Sequence, residues 1–108
     1  MSDNHALDRL FAVIQSRKDA DPGSSYTAKL LAQGRLAIAR KVGEEAVETV
    51  LAAVAEDAAR VASESADLLY HLLVLWADCG VSPAQVYAAL EARAGQSGLE
   101  EKASRAGD

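Results

Sequence analysis

The sequence KVGEEAVE, residues 41–48, places three glutamates close together in a stretch with the composition of a helix. An α-helix turns about 100° per residue, so Glu44, Glu45 and Glu48 fall within about 100° of the helix circumference. Like charges spaced i,i+4 repel by a few tenths of a kcal/mol at the surface, and by more where apolar groups exclude water. The stretch therefore predicts a helix with one acidic face, which a bound cation would stabilise.

A second acidic pair, Glu64 and Asp67, precedes the run LLYHLLVLW, residues 68–76, which is apolar on nearly all sides. Such a helix is expected to be buried. An ionised carboxylate buried alone costs several kcal/mol, so natural chains protonate it, pair it or provide a metal ion. Across residues 44–76 the only lysine or arginine is Arg60. The sequence therefore predicts acids that lack protein counterions.

The length and composition favour one helical domain. The chain has 108 residues and a mass of 11.3 kDa, which suits a single domain spanning residues 1–108. Half of the residues are hydrophobic, only 5% are aromatic, two are proline and no strand pattern occurs, so the expected fold class is all-α. The formal charge of −5 argues against binding to nucleic acid, since the phosphates would be repelled.

Cysteine usage and hydropathy indicate a cytoplasmic protein. The single cysteine, Cys79, excludes an intrachain disulfide and the usual zinc-ligand spacings, which fits a reducing compartment. The first residues show no basic segment leading into an apolar one, and the longest apolar run is too short to cross a bilayer. We therefore expect neither export nor membrane insertion.

Apolar periodicity and turn residues predict a four-to-five-helix bundle. Asp3 or Asn4 is expected to cap a first helix that ends near Arg17, followed by a loop over residues 18–25. Gly80 and Ser82 are the expected caps around the last connection, where Pro83 begins a helix and Gln85 completes a capping box. The helices between them are expected over residues 26–33, 36–55 and from the Glu56-Asp57 break to about Asp78.

Two of the predicted helices carry apolar surfaces. The long helix over residues 36–55 has glutamates on one side and, on the other, Leu36, Val47, Val50, Leu51 and Val54. A monomer of this size would struggle to cover the apolar run 68–76 on all sides, so two copies are expected to pack there as a symmetric homodimer. The alternative is that this helix forms the centre of the monomer.

The acids form the pattern E-E-x-x-E, fifteen residues, then E-x-x-D, on consecutive helices. Antiparallel packing would let the two halves face each other. Helix-borne carboxylates offer only oxygen ligands, which match Mg²⁺, with Mn²⁺ as a possible substitute. Such a site activates water and neutralises oxygens in an in-line displacement at phosphorus, which suits phosphoanhydride hydrolysis. The alternative is a solvated acidic surface.

Three further residues have two interpretations each. Lys29 borders a hydroxyl-rich segment over residues 24–27. Lys29 and this segment either contact a phosphate or belong to an ordinary polar surface loop. Lys41 either pairs with Glu45 at i,i+4 or reaches a phosphate. His71 lies one turn after Asp67, where a neutral core histidine is favoured over a metal ligand.

At these residues the sequence resembles the all-α nucleoside triphosphate pyrophosphatases of the MazG-like superfamily, and within it the phosphoribosyl-ATP pyrophosphohydrolase family. The resemblance rests on SYTAKLL at 25–31, the acidic stretch at 41–48, ESADLLYHLLVL at 64–75 and GLEEKASR at 98–105. It implies a MazG-like helical homodimer that uses Mg²⁺ to hydrolyse phosphoribosyl-ATP to phosphoribosyl-AMP and pyrophosphate, the second step of histidine biosynthesis.

The resemblance also implies roles for individual residues. The metal-binding acids correspond to Glu44, Glu45, Glu48, Glu64 and Asp67. Glu44 or Glu45 would instead orient the attacking water. The candidate phosphate contacts are Lys29, Lys41, Lys102 and Arg105. Many relatives carry a fused zinc-dependent cyclohydrolase domain for which this chain has neither room nor cysteines, so only the pyrophosphohydrolase activity is expected.

Two other functions remain open at this point. A house-cleaning nucleoside triphosphate pyrophosphatase of the same superfamily would use the same carboxylates on different substrates. A non-enzymatic helical dimerisation module would present the acids only to solvent. Metal binding and substrate preference distinguish the three.

Overall fold

A computed structural model describes residues 5–95, which form five helices and contain no strand, so the expected all-α fold is confirmed. The predicted helix boundaries agree with the structure to within one or two residues. The tail from residue 96 onward lies outside the described residues. The helices are α1 (Ala6–Ser16), α2 (Tyr26–Gln33), α3 (Arg35–Ala55), α4 (Ala58–Cys79) and α5 (Pro83–Ala94).

The connection between α4 and α5 has the predicted caps. Gly80 adopts a left-handed conformation with φ of 75°, which glycine tolerates without strain. Ser82 accepts a hydrogen bond from the Gln85 backbone at 3.2 Å, and the Gln85 side chain accepts one from the Ser82 backbone at 2.8 Å. With Pro83 at the first helical position, this reciprocal capping box fixes where α5 begins.

The N-terminal cap differs from the prediction. His5 caps α1, because its Nδ1 accepts a hydrogen bond from the Leu7 backbone at 3.1 Å. Histidine is a rare N-cap, and the sequence pattern favours the short polar side chains that precede it. Those two residues, Asp3 and Asn4, lie outside the described residues.

Helices α3 and α4 pack antiparallel along their lengths. At one end Arg35 on α3 donates to the Asp78 carboxylate on α4 at 2.9 Å. Further along, the Thr49 hydroxyl lies 3.3 Å from the Glu64 carbonyl. Helices α1 and α2 pack against this pair and complete a core whose buried members are Ile14, Leu30, Ile38, Leu73, Val74 and Ala77.

The apolar side of α3 faces away from this core. Val50 is 60% exposed and Val54 is 76% exposed, whereas Ile38 and Ala52, on the opposite side of the helix, are fully buried. The exposed side, called the α3 stripe below, consists of Leu36, Val47, Val50, Leu51 and Val54.

The apolar run of α4 is only partly covered in the monomer. Leu73 and Val74 are fully buried, but Leu69 is 40% exposed. The expectation of burial on all sides therefore holds for the half of the run that faces the core. Within residues 5–95 no single helix has the length and apolar character to cross a membrane. Helices α4 and α5 taken together, with a bend of 114° between them, have the length and composition of a span.

Candidate metal centre

Three of the five predicted acids converge between α3 and α4. Glu45, Glu64 and Asp67 each place a carboxylate oxygen within 4.8 Å of the others. Glu45 lies on the face of α3 that packs against α4, while Glu64 and Asp67 lie one turn apart on α4. Antiparallel packing brings the middle of α3 opposite the first half of α4, as the spacing of the two motifs predicts.

The three carboxylates differ in burial. Glu64 is buried with 7% of its surface exposed, and the Glu45 side chain is 16% exposed. Asp67 is exposed. The group therefore has a closed side at Glu64 and an open side at Asp67, from which a solvated ion or an anionic substrate can approach.

Thr49 holds the two helices together beside this group. Its hydroxyl lies 2.8 Å from the Glu45 carbonyl and 3.3 Å from the Glu64 carbonyl, so one donor is shared between the backbones of α3 and α4. Both carbonyls belong to residues whose side chains enter the acidic group. This contact fixes the distance between the two halves of the site.

The prediction that the acids lack protein counterions is wrong. Arg60 Nη2 lies 2.6 Å from Glu64 Oε2, and Lys41 Nζ lies 3.4 Å from Glu44 Oε1 and 3.9 Å from Glu45 Oε2. These cations are three or four residues away along the same helices, which places them on the same faces. Within residues 5–95 the Asp67 carboxylate makes no ion pair, so the open side of the group remains without a protein cation.

The remaining predicted site residues either are exposed on α2 and α3, apart from the three converging carboxylates, or fall outside the described residues. Glu44 and Glu48 are exposed on α3 and are not among the three converging carboxylates. Lys29 is exposed on α2. Lys102 and Arg105 fall outside the described residues.

The predicted core position of His71 is confirmed, whereas the hydroxyl groups around it were missed by reasoning from the residues alone. His71 is buried, and its Nδ1 lies 2.8 Å from the Asp67 carbonyl, which can only accept, so Nδ1 donates. In the neutral ring Nε2 then accepts from the Tyr26 hydroxyl at 3.3 Å. Thr27 and Tyr70 form a second hydroxyl pair, at 2.5 Å, between the same helices. Both pairs fasten α2 to α4 next to Asp67.

An open cleft adjoins this network. It has a volume of about 600 Å³ and is lined by Pro22, Gly23, Ser24, Ser25, Tyr26 and Lys29. Tyr26 belongs both to the cleft wall and to the His71 hydrogen bond. The pKa of Lys41 is raised above its ordinary value, first by the negative charge of the nearby Tyr26 in its ionised form and then by the hydrogen bond to Glu44. Lys41 is therefore protonated at neutral pH.

The donor set fits a hard divalent cation. All three converging groups are carboxylates, and oxygen ligands suit Mg²⁺ and Mn²⁺ rather than softer metals. Mg²⁺ characteristically takes a few carboxylates and keeps water or phosphate oxygens in its other positions. The exposed Asp67 side of the group leaves space for those ligands.

Comparison with known proteins finds a family model and several relatives that are similar to this chain. The family model described as phosphoribosyl-ATP pyrophosphohydrolase matches residues 7–94. A phosphoribosyl-ATP pyrophosphatase of Paramagnetospirillum magneticum is 62% identical over 104 residues, covering 96% of this chain and 95% of the relative. Its counterpart in Parvibaculum lavamentivorans is 65% identical over 104 residues with the same coverage. That of Azospirillum brasilense is 63% identical over 99 residues, covering 92% of this chain and 89% of the relative.

Proposed function

The chain belongs to the phosphoribosyl-ATP pyrophosphohydrolase family, and on that premise we propose that it hydrolyses phosphoribosyl-ATP to phosphoribosyl-AMP and pyrophosphate with Mg²⁺. This reaction is the second step of histidine biosynthesis. The observation that carries the proposal is the meeting of Glu45, Glu64 and Asp67 within 4.8 Å of one another, in a chain matched by the family over residues 7–94.

The proposed metal ligands are the three converging carboxylates of Glu45, Glu64 and Asp67, together with the exposed carboxylates of Glu44 and Glu48 on α3. A bound Mg²⁺ would neutralise phosphate oxygens and lower the pKa of a bound water. Mn²⁺ offers the same oxygen preference and is the expected substitute. Glu44 or Glu45 would orient the attacking water, because each is a carboxylate that could accept its proton.

Positive side chains near the group would bind the phosphates. Lys41 Nζ lies 3.4 Å from Glu44 Oε1, and its ammonium is charged through the neutral range. Lys29 lines the cleft. Lys102 and Arg105, in the C-terminal segment, complete the proposed set of phosphate contacts. A chain with a net charge of −5 needs such local cations to hold a polyanionic substrate.

We further propose a homodimer that forms through the α3 stripe and the exposed part of the α4 run. Val50, Leu51 and Val54 are each between 47% and 76% exposed, and they lie on one side of a long helix. A contiguous apolar surface of this kind is typical of a protein interface. The cytoplasm is the proposed compartment, because the only cysteine, Cys79, is an exposed free thiol.

Substrate preference tests the proposal directly. Pyrophosphate release would be measured from phosphoribosyl-ATP and from a panel of plain nucleoside triphosphates at the same Mg²⁺ concentration. A clear preference for phosphoribosyl-ATP is expected. Faster release from a plain triphosphate would instead identify a house-cleaning pyrophosphatase. No release from any substrate, with no Mg²⁺ binding by calorimetry, would favour a dimerisation module.

A further inference from the structure

Arg60, in the first turn of α4, pairs with Glu56, which precedes the helix, and with Glu64, which lies within it, and only Glu64 belongs to the acidic group. Its Nη2 lies 2.6 Å from Glu64 Oε2, and its Nε lies 2.9 Å from Glu56 Oε1. The Glu64 side chain is 10% exposed, whereas those of Arg60 and Glu56 are 49% and 41% exposed. Arg60 therefore reaches from solvent into the closed side of the group.

The burial of Glu64 separates this contact from an ordinary helix ion pair. Exposed pairs at i,i+4 contribute little, because water solvates both partners equally well without the contact. A buried carboxylate has lost that solvation and needs a compensating charge. In the metal-free protein Arg60 supplies that charge to Glu64.

A divalent cation bound by Glu45, Glu64 and Asp67 would supply the same compensation more strongly. The charge of the Glu64 carboxylate is then shared between the ion and Arg60, so each cation weakens the interaction of the other with Glu64. Glu56 provides Arg60 with a second carboxylate at 2.9 Å, which remains available when Glu64 binds the ion.

We propose that Arg60 is a resident counterion of the metal site, which neutralises Glu64 in the metal-free protein and gives up that carboxylate to a divalent cation while remaining paired with Glu56. The inference rests on the metal-dependent function proposed above. It assigns Arg60 a positioning role that sets the affinity of the site for metal and keeps the empty site folded.

Calorimetric titration with Mg²⁺ and Mn²⁺ tests this role in Arg60→Gln. Loss of the competing cation is expected to tighten metal binding by about threefold to fivefold, the scale of one partly exposed ion pair. Arg35→Gln is the matched control, because Arg35 also pairs with a carboxylate. Its partner is Asp78 on the neighbouring helix, at 2.9 Å. Arg35 lies ten residues from Glu45 on α3, about 15 Å along the helix, beyond the screening length of about 8–10 Å. Its metal affinity should equal that of the wild type.

Thermal unfolding in EDTA and in saturating Mg²⁺ tests whether the metal ion replaces Arg60 as the counterion of Glu64. Arg60→Gln is expected to melt lower than wild type in EDTA and to recover most of that difference in Mg²⁺. A deficit of the same size in both conditions would mean that Arg60 serves only the fold, which would overturn the proposal. Arg60→Lys keeps a charge that cannot bridge both glutamates, so it should bind metal with intermediate affinity, and it replaces the glutamine variant if that one does not fold.

The outcomes separate this inference from the function on which it rests. If Arg60→Gln binds metal with unchanged or weaker affinity while the wild-type protein hydrolyses phosphoribosyl-ATP, the proposed role of Arg60 is overturned and the proposed function stands. Wild-type protein that binds neither Mg²⁺ nor Mn²⁺ overturns both.

Discussion

Asp67→Asn is the substitution for which the structure predicts opposite effects on stability and on activity. The Asp67 side chain is exposed and makes no ion pair within residues 5–95, so its charge contributes no favourable contact to the described fold. The contact with His71 uses the backbone carbonyl of residue 67, which asparagine retains. The substitution therefore removes one charge from the acidic group and little else.

The expected gain in stability follows from the distances. Two unit charges 4.8 Å apart repel by about 1 kcal/mol in a dielectric of about 80, and Asp67 faces both Glu45 and Glu64 at up to that separation. Arg60 and Lys41 already offset part of this repulsion. A net gain of about 0.5–1 kcal/mol in the free energy of unfolding remains, which raises the melting temperature of a domain of this size by a few degrees.

The effect on the reaction has the opposite sign. Loss of an anionic ligand lowers the affinity for Mg²⁺, and metal stabilisation of phosphate charge is worth several kcal/mol in the transition state. We expect pyrophosphate release to fall by about 100-fold or more. The rise in melting temperature that Mg²⁺ produces in the wild type should also disappear.

The assay combines calorimetric scans in EDTA and in Mg²⁺ with pyrophosphate release from phosphoribosyl-ATP. Asp78→Asn is the control, because Asp78 is on the same helix but pairs with Arg35 at 2.9 Å, at the other end of the helix pair. It should melt lower than wild type and keep full activity. The reasoning is refuted if Asp67→Asn melts lower than wild type in EDTA, or if its turnover stays within about twofold of wild type.

Four other substitutions test separate features of the site. Glu48→Gln should abolish pyrophosphate release while circular dichroism stays unchanged, and retained turnover would remove Glu48 from the ligand set. Tyr26→Phe removes the donor to buried His71 and should cost about 1 kcal/mol in urea unfolding; equal stability would show that the bond is dispensable. Val50→Glu introduces a charge on a side chain that is 60% exposed, so sedimentation should show monomers of unchanged helicity, and an intact dimer would exclude the α3 stripe as its interface. The pKa of Lys41 is raised, first by the negative charge that Tyr26 carries once its phenol ionises and then by the hydrogen bond to Glu44, and the Glu44 part of this stabilisation is complete below the ordinary value of 10.5 and is lost as pH rises through the raised value. Unfolding of wild type and Lys41→Gln should therefore converge at high pH, and a constant difference would contradict the assignment.

Features set by local chemistry were predictable from the sequence. The capping box of Ser82 and Gln85 and the left-handed cap at Gly80 depend on residues a few positions apart, so the pattern determines them. The meeting of the acidic stretch of α3 with Glu64 and Asp67 was also predictable, because the short connection between two long helices enforces antiparallel packing.

Features set by the rotation of one helix against another were not predictable. The three glutamates of α3 share a face about 100° wide, and only packing decides that Glu45 points at α4 while Glu44 and Glu48 remain exposed. Periodicity places the members of the α3 stripe on one side of the helix, but it does not show whether that side is buried in the monomer or exposed. Arg60 was visible in the sequence, but the burial of its partner Glu64 results from the packing of the helices.

The shared hydroxyl of Thr49 has a mechanical consequence for the site. It fixes the two helix backbones at the level of the carboxylates, so that Glu45 and Glu64 lie on either side of a pivot. We expect any fraying at the Glu56 end of the helix pair to rotate α3 and α4 about this contact, which displaces the groups beside it little. The spacing of the Glu45 and Glu64 carboxylates should therefore change less than the separation of the helix ends.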